Sequence, residues 1–167
     1  MRYLIKPMET EAETDGKGYV HWKSWQETYT GLIDQEYLTN HQTLEKSLLT
    51  AHRSPDNIVV AKDGDQVIGF IAYGAYRDDT LPGHGEVYAL YVLQAYQRQG
   101  VGFGLMNAAL EQLIAYERIA LWVLDGNEKA ISFYKRCGFR FDGASQTLLL
   151  GTPVLEKRMI YQREVSV

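Results

Sequence analysis

The chain has 167 residues, 46% of them hydrophobic and 23% charged, a balance that suits one folded domain and excludes a disordered chain. Lys and Arg number 17 against 21 Asp and Glu, so the net charge of −4 lacks the basic excess of a nucleic-acid binder. One cysteine, Cys137, excludes an internal disulfide framework and thiolate-rich zinc sites, and four scattered histidines show no ligand spacing, so no metal is expected.

Residues 2–6 read as a short strand, and 9–29 as a helix carrying Trp22, Trp25 and Tyr29, with Gly16 and Gly18 blurring its start. Asp34 caps a second helical stretch through Leu38, Leu44, Leu48 and Leu49, ending before Pro55. Residues 58–62 and 66–76 form a hairpin about Asp63, Gly64 and Asp65. The next strand, 86–92, alternates so that Glu86, Tyr88 and Leu90 share one face. Phe103, Met106, Leu110 and Leu113 then recur at helical spacing, followed by a strand at 119–123. Asp125 or Asn127 caps a helix to about Lys135, Gly138 ends it, and 139–142 and 154–162 close as strands. The sum is an α/β domain over 1–167, a central sheet with helices packed on it. No apolar run spans a bilayer and the N-terminus lacks a signal peptide's apolar segment, so a cytoplasmic protein without a membrane partner is expected.

The most informative segment is 86–106, where a strand enters a loop and Gly100, Gly102 and Gly104 open an amphipathic helix. Such a junction leaves backbone N–H groups without intrahelical partners at the positive end of the helix dipole, and glycine lets an anion approach them. A diphosphate suits this turn. The dinucleotide fingerprint fails at Leu105, and no Walker loop occurs.

The run Gln97-x-x-Gly100-x-Gly102 resembles the pyrophosphate-binding motif of the GNAT superfamily of acyl-CoA-dependent N-acyltransferases. Asn127, Ala130, Phe133, Tyr134, Gly138 and Phe139 are similar to that family's second signature. The resemblance covers nearly the whole chain. It implies the GNAT fold: a central mixed, mostly antiparallel twisted sheet with a splayed strand pair and flanking helices. It also implies an acetyltransferase that moves an acetyl group from acetyl-CoA, its co-substrate, to a primary amine by direct attack in a ternary complex. By the same resemblance Leu90, Tyr91 and Val92 offer main-chain groups to the pantetheine arm. Backbone N–H groups of Arg98, Gln99, Gly100, Val101, Gly102 and Gly104 hold the diphosphate beside the motif residue Gln97, and Asn127 contacts the cofactor near its thioester.

A phenol protonated at neutral pH suits the departing sulfur, so Tyr134 is the expected general acid. Glu86 is the expected base or ammonium attractor, with Tyr88 at another position used for it and His84 as a rival. Glu27 and Tyr29, with Trp22, Trp25 and Tyr37 nearby, are expected to meet a cationic amine acceptor. Cys137 is expected to be a small buried thiol rather than a nucleophile. A homodimer through the C-terminal strands is implied by resemblance alone. A catalytically silent coenzyme A sensor is the competing reading, and it would not need Tyr134.

Overall fold

The runs rich in β-branched and aromatic residues become seven strands: β1 (Leu4–Pro7), β2 (Ile58–Asp63), β3 (Gln66–Ala75), β4 (Gly85–Val92), β5 (Arg118–Leu124), β6 (Arg140–Leu150) and β7 (Thr152–Gln162). Five helices connect them: α1 (Glu11–Tyr29), α2 (Gln35–Asn40), α3 (Leu44–Arg53), α4 (Val101–Gln112) and α5 (Glu128–Arg136), with a short helical turn at Gln94–Tyr96. This computed structural model describes residues 2–164; Met1 and residues 165–167, which the expected 1–167 unit includes, lie outside them.

One sheet runs β1-β2-β3-β4-β5-β7-β6. Every pairing is antiparallel except β4 with β5, so the expected mixed, mostly antiparallel sheet is present. The parallel pair is short. Gly85 lies opposite Ile119 and Glu86 opposite Ala120, and beyond these residues the strands part. Each face has its own core. On one, α4 and α5 pack Val101, Leu105, Met106, Ala109 and Ile131 against Ile71, Val87, Leu121 and Met159. On the other, Val20 of α1 meets Val60, Val67 and Phe70, while Ile33 and Leu38 of the α1–α2 region meet Leu124. Among the described residues no helix is long and apolar enough to cross a membrane.

Several boundaries differ from the sequence reading. The second helical stretch is two helices, because the Thr43 hydroxyl accepts the Lys46 N–H at 3.2 Å and starts α3 afresh. Strand β6 continues to Leu150 and turns into β7 at Gly151, which has φ +80°; its nearly continuous exposure left no alternation to read. On α4 the buried stripe is Val101, Leu105, Met106, Ala109 and Leu113, whereas Phe103 is exposed and Leu110 half-buried. The α1 glycines are interior and steric: a Cβ on Gly16 would lie 2.6 Å from Val67 Cγ2, and one on Gly18 would lie 2.8 Å from Leu48 Cδ2.

The start of α1 is fixed by a buried anion. Thr10 and Glu13 form a capping box, and Glu13, 4% exposed, also takes Lys6 Nζ at 2.7 Å and Lys62 Nζ at 3.2 Å. The Glu9 and Thr10 N–H groups donate to its other oxygen at 2.8 and 3.2 Å. Burial opposes the charge. The Lys6 bond, the two backbone donors and Lys62 outweigh burial and hold the carboxyl at about 2. Because this folded value lies below the ordinary 4.5, its stabilisation is present above that pH and is lost as pH falls towards 2. Glu13→Gln should therefore cost about 3 kcal/mol at neutral pH and little at the acid end, read as urea midpoints at both pH values.

Candidate active site

The turn between β4 and α4 is built from two left-handed residues and a run of uncommitted donors. Gly100 has φ +83° and Arg98 φ +62°. The first intrahelical bond of α4 is Gly104 N–H to Gly100 O at 3.0 Å. Among the described residues the N–H groups from Arg98 to Phe103 have no backbone acceptor. Six consecutive donors at a helix N-terminus form a cradle that an anionic diphosphate can fill. Two expected members are corrected. Gly104 has its N–H committed to Gly100 and is packed near Ile5 and Tyr3, so it has no donor to offer. Gln97 donates its side-chain amide to Val92 O at 3.0 Å and its N–H to Gln94 O, latching the turn to the end of β4. The remaining motif glycine is there for packing as well as approach, since a Cβ on Gly102 would lie 3.1 Å from the Phe133 ring.

The parted strands open a gap beside this turn. Leu90, Tyr91 and Val92 pair with Ile71, Phe70 and Gly69 of β3, and no β5 residue is registered opposite them. Asn127 caps α5 by accepting the Ala130 N–H at 3.4 Å, the capping role its sequence position allowed. Two turns farther on, Tyr134 is half-buried, edge-on to Phe133 at 5.7 Å and to Phe139 at 6.1 Å. Burial first, then the nearby Tyr29 and Cys137, raise its phenol well above the ordinary value. Tyr29 comes from α1 on the opposite face of the sheet and its hydroxyl lies 3.1 Å from that of Tyr91. Three phenols thus converge where β4 and β5 separate, and all are held protonated at neutral pH. The Cys137 thiol, pushed to about 11 by burial, is not an activated nucleophile.

The shared face of Glu86, Tyr88 and Leu90 is corrected by a bulge. Ala72 pairs with Ala89 and Tyr73 with Val87, so Tyr88 is an extra residue and the alternation changes phase there. Leu90 packs with the α4 core, whereas Tyr88 covers Gly74, the partner of Glu86. Glu86 is 1% exposed, and both of its oxygens are engaged: Oε1 accepts the Arg77 N–H at 3.1 Å and Oε2 the Arg77 guanidinium at 2.9 Å. That guanidinium lies 4.8 Å over the Tyr88 ring. Tyr88 donates its hydroxyl to Ala75 O. His84 sits in the preceding loop with Nδ1 3.3 Å from Pro82 O. Glu27 is drawn elsewhere, accepting the Gln94 N–H at 3.2 Å at the start of the helical turn. Trp25 packs edge-on to Tyr29 at 4.6 Å as part of a core cluster, and Trp22 tilts against Tyr19.

Glu156 of β7 was not singled out from the sequence. It lies opposite Leu124 on the face covered by α1 and α2, and burial raises its carboxyl. The signal was there in the strand alternation: Val154, Glu156 and Arg158 share a face, and a charged pair on a covered face marks a polar site. Among the described residues no group of three His, Cys, Asp or Glu could hold a metal ion.

The sequence profile described as the acetyltransferase (GNAT) family matches residues 19–139. The chain is 34% identical over 119 residues to the uncharacterised N-acetyltransferase YuaI of Bacillus subtilis strain 168, covering 70% of this chain and 68% of that one. It is 31% identical over 87 residues to a spermine/spermidine N(1)-acetyltransferase of the same organism, covering 48% of this chain and 57% of that one. Its fold is similar to the crystal structure of the PaiA N-acetyltransferase of Thermoplasma acidophilum in complex with coenzyme A. That likeness has TM-score 0.73 and 22% identity, and covers 98% of this chain and all of the other.

The raised phenol of Tyr134 gives a spectroscopic expectation. In an ultraviolet titration of the folded protein, wild type and Tyr134→Phe should show the same phenolate amplitude up to about pH 11, where ordinary tyrosines have largely ionised. A smaller amplitude in the variant below that pH would mean that Tyr134 titrates as an exposed residue.

Proposed function

This chain belongs to the acetyltransferase (GNAT) family, and we propose that it transfers an acetyl group from acetyl-CoA to a primary amine through the residues gathered at the β4–β5 gap. The observation that carries the assignment to these residues is the run of six unpaired N–H groups from Arg98 to Phe103, opening beside strands that part after two paired residues. When bound, acetyl-CoA supplies an activated thioester. Backbone donors of Arg98, Gln99, Gly100, Val101, Gly102 and Phe103 hold the diphosphate, with the Arg98 side chain free to add charge at a phosphate. Leu90, Tyr91 and Val92 supply main-chain partners to the pantetheine arm and polarise the reacting carbonyl. Asn127 keeps a side-chain amide for the arm beyond its capping oxygen.

The acceptor nitrogen attacks the thioester carbon and the carbon–sulfur bond breaks. Tyr134 donates its hydroxyl proton towards the departing sulfur and regains one from the proton shed by the acceptor nitrogen. Burial keeps the phenol protonated at neutral pH, so the proton to be donated is present. Glu86 acts through its field rather than as a direct base, since Arg77 occupies both of its oxygens. The presence of Tyr134 in the gap favours an enzyme over a silent coenzyme A sensor.

The same reading takes residues 1–167 as one acetyltransferase unit in the cytoplasm, supported by a lone Cys137 without a disulfide partner. It includes a homodimer through β6, an edge strand with Leu149 exposed. With a panel of primary amines and a free-thiol assay, Tyr134→Phe should lower kcat by about 10²-fold, as loss of a general acid does. Calorimetry should show coenzyme A affinity unchanged in that variant. Undiminished turnover would remove the acid role, and no heat of coenzyme A binding to wild type would remove the cradle.

A further inference from the structure

Around the β4–β5 gap the sheet face beneath α1 and α2 gathers Glu86, Arg77, Arg158, Asp142 and Glu156, and of these five only Glu156 has no ion-pair partner. Glu86 is matched by Arg77 at 2.9 Å. Arg158 is matched by Asp142 at 2.7 Å and also reaches the Tyr76 hydroxyl at 3.3 Å. Glu156 has no cation within ion-pair distance among the described residues; Gln146 donates to its Oε1, and Oε2 is left without a protein donor. The half-buried carboxylate is therefore an anion of this face without an ion-pair partner. Such a group has lost part of its hydration and gained one neutral donor in return, a cost that a bound cation offsets.

Register fixes where that charge stands. Glu86 lies opposite Ala120 at the base of the gap, and Glu156 opposite Leu124 at its open end, four residues along β5 or about 13 Å. Between them Trp122 shares the face, donates its indole N–H to Tyr76 at 3.2 Å and carries the Arg158 guanidinium 5.6 Å over its ring, beyond which the Leu124 end lies open to Glu156. Tyr29, whose phenol feels the Glu156 charge, lies beside the Leu124 end, and its hydroxyl reaches Tyr91 at the gap. Trp25, packed on Tyr29, has its indole nitrogen buried with no partner, so this corner has an unmet donor as well as an unmet acceptor.

We infer that Glu156 is the specificity-determining anion of the acceptor site, seating the ammonium of a cationic aliphatic amine whose carbon chain lies along Trp122 and Leu124. This inference rests on the acetyl-transfer reading for the meaning of "acceptor", and its test does not depend on turnover. The probes are 1,5-diaminopentane and the zwitterion 5-aminopentanoate, which share a chain length and an ammonium but differ in the charge at the far end.

Wild type should bind the diamine at least about tenfold tighter than the zwitterion, and Glu156→Gln should bring the two within about twofold, by calorimetry on the full chain. Glu156→Asp should keep part of the preference. Should Glu156→Gln prove unstable, the wild-type preference should shrink at about 1 M salt, where exposed charges are screened within a few ångströms. No preference in wild type, a preference undiminished in Glu156→Gln, or a preference indifferent to salt overturns the inference. Coenzyme A binding measured in parallel separates the outcomes: its absence in wild type removes the transfer reading, while the diamine preference is judged on its own.

Discussion

Backbone N–H and C=O groups inside a sheet need partners, and β4 and β5 abandon theirs after two registered pairs. Every other feature of the site follows from that parting. The strands stay in one sheet because β3 holds β4 and β7 holds β5 along their lengths, so the gap is framed by complete ladders rather than frayed edges. Through it the two faces of the molecule meet. Tyr134 comes from α5 on one side and Tyr29 from α1 on the other, and a continuous sheet would have kept them apart. The cradle at Arg98 to Phe103 stands at the end of the strand that lines the gap, so a ligand held by its phosphates is directed along unpaired backbone.

Charge on the sheet face beneath α1 and α2 is arranged with similar economy. Arg77 serves Glu86 through both backbone and guanidinium, and Asp142 serves Arg158, so buried Glu86 and half-buried Arg158 are each matched by a partner nearer the surface. Glu13, at the far end of α1, shows what full satisfaction looks like: four donors pull its carboxyl down despite burial. Glu156 shows the contrary case, a single amide donor and a carboxyl raised by burial. The contrast between the two glutamates is one of donor count, and it separates a structural anion from one left available.

The glycine turn, both signature segments and most elements were legible because each rests on local rules: positive φ for Gly100, side-chain capping by Asn127, and β-branched and aromatic runs about a glycine turn in β2 and β3. What escaped was non-local. The phase change at Tyr88 comes from the register of β3 against β4, and nothing within residues 86–92 signals an extra residue there. Gly104 carries the look of a phosphate glycine, yet the helix begins early enough to use its N–H. Gln97 and Glu27 have the sequence positions of ligand contacts, yet Gln97 donates to Val92 O and Glu27 accepts the Gln94 N–H. Glu156 needed the third dimension, since only the fold shows that its strand face is covered by α1 and α2 while the neighbouring cations are already taken.

A Cβ on Gly102 would lie 3.1 Å from the Phe133 ring, closer than ordinary van der Waals contact, and Phe133 is the sequence neighbour of Tyr134. The turn that opens α4 and the aromatic pair of α5 therefore share a single mechanical joint. A methyl group added at residue 102 would require the phenylalanine ring, packed edge-on to the tyrosine, to give by a few tenths of an ångström. The alignment of α4 with α5 thus runs through one aromatic ring.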